Sequence, residues 1–143
     1  VDADASPRPV KEILYRASER TQTVVTFVAN QLLEVPRSPF ITAVKVGSGF
    51  DVADQYIVLH ARKGDIVVTQ DIPLAAELVT KECLVLSPRG EKFSEEDVRQ
   101  RLNMRDFMES LRSSGVTTGG PDVFSDKDRM AFANALDRAL TQI

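Results

Sequence analysis

The chain has 143 residues, of which 43% are hydrophobic and 27% charged, and its formal net charge is −3. That length fits a single domain covering 1–143, and a chain of this size buries about 70% of its extended surface, enough to fold without a disulfide or zinc staple. The net charge argues against binding nucleic acid by bulk attraction alone, and no run approaches the roughly 18 apolar residues of a membrane span. A lone cysteine, Cys83, excludes an internal disulfide and a cysteine-based zinc site, and makes a reducing, cytoplasmic location the expectation.

In chain order, Val1-Asp-Ala-Asp4 reads as the end of a strand. Strands usually run to about five residues, so further apolar residues are expected ahead of it. Ser6-Pro7 reads as a cap with proline in the first turn, opening a helix that turns Val10, Ile13, Leu14 and Ala17 to one side. Val24–Ala29 and Ile41–Val46 follow as strands. A second helix opens near Asp51 with Ala53, Ile57 and Ala61 inward, then a strand over Ile66–Thr69. A third helix starts near Pro73 with Leu74, Ala75, Leu78 and Val79 inward, then a strand over Cys83–Leu86. Continuous apolar strands separated by amphipathic helices predict an α/β fold with a mainly parallel sheet covered on both faces. About 1–93 forms that sheet core. Residues 94–143 form a helical C-terminal extension, with helices over about 95–113 and 126–142 behind Ser94 and Ser125.

The acids of this pattern fall together. Ligands of open parallel sheets bind beyond the carboxyl ends of the strands. Asp2 and Asp4 end the first strand, and their two-residue spacing puts both on one face of an extended chain. Asp51 and Asp54 open the second helix, and Asp71 lies two residues beyond the third strand. Asp65 precedes its strand and belongs to the opposite edge. Gathered carboxylates repel unless a cation intervenes, and oxygen ligands without histidine or cysteine favour magnesium or manganese. Three of the acids also have a purely structural role open to them: capping a helix at Asp51 and Asp54, shaping a turn at Asp71.

Other features are weaker. Asn30 follows a strand at the acidic edge and could orient a phosphate or serve a turn. Thr118, Gly119 and Gly120 could offer a phosphate hydroxyl and N–H groups, or simply form the turn before the last helix. Arg89 and Arg105 belong to a basic stretch that is either a solvated face or a phosphate track. His60 is the sole histidine and reads as a surface residue. Gly47-Ser-Gly49 lacks the third glycine of a dinucleotide loop.

The strings Val-Asp-Ala-Asp-Ala-Ser-Pro at 1–7, Val-Ala-Asn-Gln at 28–31, Gly-Phe-Asp-Val-Ala-Asp at 49–54 and Thr-Gln-Asp-Ile-Pro-Leu-Ala at 69–75 resemble the YaiI/YqxD family of uncharacterised bacterial proteins. So do Pro-Arg-Gly-Glu at 88–91, Thr-Gly-Gly-Pro at 118–121, Phe124-Ser125 and Ala131–Asp137. The family is in turn similar to PIN-like nuclease domains. That resemblance implies a three-layer fold and an acidic magnesium- or manganese-dependent site, with Asp2, Asp54 and Asp71 in the PIN positions. The further acid of the PIN pattern has no counterpart, and Asp4 and Asp51 are the candidates to replace it. Ser6 stands where the family has cysteine, which argues against thiol chemistry there.

The expected function is therefore phosphodiester hydrolysis of a nucleic acid, RNA more than DNA. Asp2, Asp4, Asp54 and Asp71 would be metal ligands and Asp51 an outer ligand or water-positioning base. The alternatives are a phosphatase of the haloacid dehalogenase type, with Asp2 as nucleophile and Asp4 as general acid, and a non-catalytic metal- or nucleic-acid-binding module.

Overall fold

The computed structural model describes residues 1–3, 6–31, 33–47, 52–100 and 124–141. It is a mixed α/β structure. Helix α1 (Arg8–Thr21) buries Val10, Leu14 and Ala17 at helical spacing, and Gln22 closes it in the left-handed region at φ 54°. Its cap differs from the expectation. Pro7 holds the N-cap position without a side-chain bond, and the Ser6 hydroxyl donates to the Asp2 carbonyl at 2.9 Å.

Strands β1 (Val25–Ala29) and β2 (Ile41–Lys45) pair in parallel. After α2 (Val52–His60), strand β3 (Ile66–Val68) pairs in parallel with β4 (Leu84–Leu86), with α3 (Ile72–Thr80) between them in sequence. A short β5 (Lys92–Phe93), absent from the sequence reading, adds antiparallel to β4. Residues 95–100 are helical behind Ser94, whose hydroxyl accepts from the Asp97 N–H at 3.1 Å.

The first residues join the two small sheets. Val1 donates from its α-amino group to Thr26 O at 2.8 Å and accepts from Val28 N–H at 2.9 Å. On the other side Asp2 N–H donates to Val68 O at 2.9 Å. The lateral order is thus β2, β1, the N-terminal residues, β3, β4, β5. The chain builds outward to β2, then returns to the other side of its own start, so the order reverses between Asp2 and β3.

Strand side chains alternate between two apolar clusters, as the two-residue pleat requires. Phe27, Ala29, Val68 and Leu86 join α1 and the C-terminal helix (Asp126–Leu140), with Phe132 fully buried among them. Val28, Val67 and Val85 join Ile57 of α2 and Leu74, Ala75 and Leu78 of α3. Burying a phenylalanine such as Phe27 or Phe132 contributes about 2–3 kcal/mol, so the C-terminal helix is part of the core. Ser125 and Asp128 form a reciprocal capping box at its start. Gly90, at φ +89°, brings the β4–β5 turn onto this helix so closely that a Cβ would stand 2.5 Å from the Ala131 carbonyl carbon. No helix among the described residues is long and apolar enough to cross a membrane.

Candidate functional site

Asp2, Thr69 and Asp71 form a hydrogen-bonded chain at the carboxyl edge of the strands. The Thr69 hydroxyl donates to Asp2 Oδ2 at 3.0 Å, and the same oxygen accepts from the Asp71 N–H at 3.0 Å. Thr69 is fully buried and Asp2 nearly so, at 8% exposure. The strand ladder continues one residue past β3, because Thr69 N–H still reaches Leu86 O at 3.0 Å. This fixes the threonine's main chain, and its side chain then falls on the pleat face of Val67. Asp2 pairs with Val28, which lies on that same face.

The helices on this face begin at the same edge. Asp71 is the N-cap of α3, its Oδ1 accepting from Leu74 N–H at 2.9 Å. Asp54 stands half-buried in the first turn of α2. The positive ends of both helix dipoles favour negative charge here. Asp65 precedes β3 and caps a turn instead, its Oδ2 accepting from Arg62 N–H at 2.8 Å. It lies at the amino edge, as its position before the strand predicted.

Asp4, Asp51, Arg105, Thr118, Gly119 and Gly120 lie outside the described residues. Ala3 O accepts from Ser6 N–H at 3.2 Å. Among the described residues no three His, Cys, Asp or Glu side chains gather as a group that could hold a metal ion. The described acids supply oxygen donors alone, a chemistry that fits magnesium or manganese.

Asn30 is exposed just beyond β1, at the acidic edge. Arg89 lies past the end of β4 and pairs with Asp128 Oδ2 at 3.0 Å, which ties the β4–β5 turn to the C-terminal helix. The Asp128 carboxyl is held below its usual value, first by the backbone N–H of Ser125 and further by the Ser125 hydroxyl and the charges of Arg89 and Lys127. His60 is exposed and stacks on Tyr56 at 4.0 Å, outside this site. Cys83 is buried, its thiol donating to Arg62 O at 3.3 Å, and burial pushes its pKa up.

Thr69 is the residue that sequence reasoning left out of the site. Its signal was present in Thr69-Gln-Asp71: a threonine two residues before an N-cap aspartate can accept the aspartate's own N–H.

Comparison with known proteins places the whole chain in one family. Residues 1–142 match the family described as "Uncharacterized BCR, YaiI/YqxD family". The chain is 59% identical, over all 143 residues, to the UPF0178 protein of Shewanella sp. (strain MR-7), covering 94% of that relative. It is 59% identical over 140 residues to that of Bordetella petrii, which is 98% of this chain and 93% of the relative. The Proteus mirabilis relative is 54% identical over 142 residues, 99% of this chain and 94% of the relative. No solved structure matches the chain. With nearly every residue matched, the chain belongs to the YaiI/YqxD family of uncharacterised bacterial proteins.

Proposed function

We propose that the chain is a divalent-metal-dependent nuclease of the cytoplasm, hydrolysing phosphodiester bonds in nucleic acid, RNA in preference to DNA, on a three-layer PIN-like fold. The observation that carries this reading is the Asp2–Thr69–Asp71 chain, which lies where the strand order reverses and where open sheets bind their ligands. The division of strand side chains between two helix-backed clusters supports the three-layer arrangement.

In this reading Asp2, Asp54 and Asp71 hold magnesium or manganese, with Asp4 as a further ligand and Asp51 positioning water. Such an ion lowers the pKa of a bound water and stabilises charge on the leaving oxygen. The chain's own groups prepare the place. Thr69 holds the Asp2 carboxylate in one orientation, and the first turns of α2 and α3 offset the gathered negative charge. Asn30, Thr118, Gly119, Gly120 and Arg105 would meet the phosphate backbone. Arg89 would join them through whatever its pairing with Asp128 leaves to offer.

Ser6 bears on the phosphatase alternative. Its hydroxyl is buried and donates to the Asp2 carbonyl, so it serves the turn after Asp2 rather than a phosphate. The deciding experiment is turnover of mixed-sequence RNA and DNA by the purified full-length protein with magnesium or manganese. Asp71→Asn should reduce cleavage to background while leaving stability within about 0.5 kcal/mol, because asparagine caps a helix as well as aspartate does. Asp65→Asn, at the far edge, should cleave at the parent rate. Cleavage by Asp71→Asn at the parent rate would refute the assignment. Turnover of small phosphomonoesters would point to the phosphatase, and a folded parent without turnover to a binding module.

A further inference from the structure

Strand β2 ends the lateral order, and among the described residues only β1 pairs with it. Phe40 O accepts from Val25 N–H, and Val46 N–H donates to Ala29 O. The main-chain groups of Phe40, Thr42, Val44 and Val46 therefore turn inward to β1, and by alternation those of Ile41, Ala43 and Lys45 turn outward. The Ile41 N–H closes a turn on Ser38 O at 3.3 Å. The N–H groups of Ala43 and Lys45, and the carbonyls of all three residues, have no partner among the described residues. Thr42 and Lys45 are exposed, so this edge is open to solvent. An open strand edge is a template for pairing with another strand.

The face beside that edge is shaped as well. Ile41 packs into the cluster that holds α1, which puts Ile41, Ala43 and Lys45 on the α1 side of the sheet. A shallow groove of about 560 Å³ lies there, lined by Tyr15, Arg16, Glu19 and Arg20 of α1 with Pro36 and Ile41. Asp137 engages Arg20, whereas Glu19 and Lys45 form no ion pair among the described residues. Glu19 stands in the last turn of α1, at the amino edge where β2 begins.

We infer that this edge is a homodimer interface, in which β2 pairs antiparallel with the β2 of a second copy about a two-fold axis at Ala43. In that register Ala43 faces Ala43, Thr42 faces Val44, and Ile41 faces Lys45, so no like charges stand directly opposite. Parallel pairing in register would instead set Lys45 beside Lys45. Each Ala43 N–H donates to the other copy's Ala43 carbonyl, and each Lys45 N–H to the other copy's Ile41 carbonyl. Ile41 needs no new acceptor, because its own N–H is already held by Ser38. The second copy's Lys45 side chain then lies across from Ile41 on the α1 face, its stem along the groove and its ammonium toward Glu19. The contact is isologous: each copy offers one lysine and receives one, which is the self-complementarity a two-fold interface requires. The inference is independent of the proposed nuclease activity.

The test is sedimentation of the purified protein from micromolar to millimolar concentration, with amide exchange measured on the same samples. A dimer is expected, with exchange at the Ala43 and Lys45 amides slowing in step with its formation. Lys45→Glu and Glu19→Lys should each weaken the dimer by about 30-fold, since each substitution turns two symmetry-related attractions into repulsions. The double variant, with the charges exchanged, should recover the parent's dimerisation to within about threefold. A monomer throughout that concentration range would overturn the inference. So would a dimer whose Ala43 and Lys45 amides exchange as fast as the monomer's, or a folded double variant that stays as weak as the single ones.

Discussion

Replacing Thr69 by valine tests the centre of the proposed site without changing its volume. Valine keeps the β-branch and the shape, and removes one oxygen. That oxygen donates to Asp2 Oδ2 at 3.0 Å and accepts from the Asp71 N–H at 3.0 Å, and Thr69 is fully buried. A hydrogen bond to a charged group contributes about 1.5–3 kcal/mol, and an N–H left without its acceptor costs about 1 kcal/mol more when poorly solvated. The expected loss is about 3 kcal/mol. For a chain of this length that lowers the melting temperature by about 10 °C. Thr69→Ser keeps the hydroxyl and loses a methyl group, which costs about 0.8 kcal/mol. Thermal and urea unfolding at pH 7 of the three proteins give the comparison. If Thr69→Val unfolds with the parent, or Thr69→Ser falls as far as Thr69→Val, the hydroxyl does not hold Asp2 and the proposed site loses its anchor. Under the nuclease reading, metal-dependent cleavage should fall with Thr69→Val and survive with Thr69→Ser.

Gly90→Ala should cost about 3 kcal/mol or more in urea unfolding, since φ +89° strains any side chain and the Ala131 backbone leaves no space for a Cβ. A loss under 1 kcal/mol would show that the β4–β5 turn can move off the C-terminal helix. In a polypeptide beginning at Val1, the amine's folded pKa of about 6 lies below its 8.0 reference, so the folded state binds fewer protons. Its stability should be greatest above pH 8 and fall by about 2–3 kcal/mol as pH drops toward 6. Asp2, whose charge opposes the shift, and Tyr56, His60 and Asp65, which line one cavity with Val1, are the titratable groups facing it among the described residues. The measurement belongs in a His60→Gln background, so that the amine alone is read. A flat profile there would contradict burial of the amine.

Local pattern carried much of the fold. The spacing of Val10, Leu14 and Ala17 placed α1, and Ser125 with Asp128 placed the start of the last helix. What stayed hidden depends on partners far away in sequence. β5 has two residues and exists because β4 offers an edge to pair with. The Ser6 hydroxyl turned from the expected cap to the Asp2 carbonyl, a choice between two nearby acceptors that propensity does not resolve. Arg89 read as a solvated or phosphate-binding cation, whereas Asp128, thirty-nine positions along, has drawn it into a half-buried pair. Asp2 and Thr69 are sixty-seven positions apart, so no local spacing could show their bond. The edge on which Asp65 and Asp71 fall was legible, because strand direction alone decides it.

At the carboxyl edge, Asp54 stands in the first turn of α2 and Asp71 caps α3, where helix N-termini favour negative charge. Asp2 has the strictest position, buried at 8% exposure with the Thr69 hydroxyl donating to its carboxylate at 3.0 Å. Its main chain is fixed by three bonds on two strands: Val1 to Thr26 and Val28, and Asp2 to Val68. Register matters at this position, because a one-residue slip would turn the Asp2 carboxylate to the opposite face. Main-chain bonds to strands on both sides therefore set the register that points the Asp2 carboxylate at the Thr69 hydroxyl.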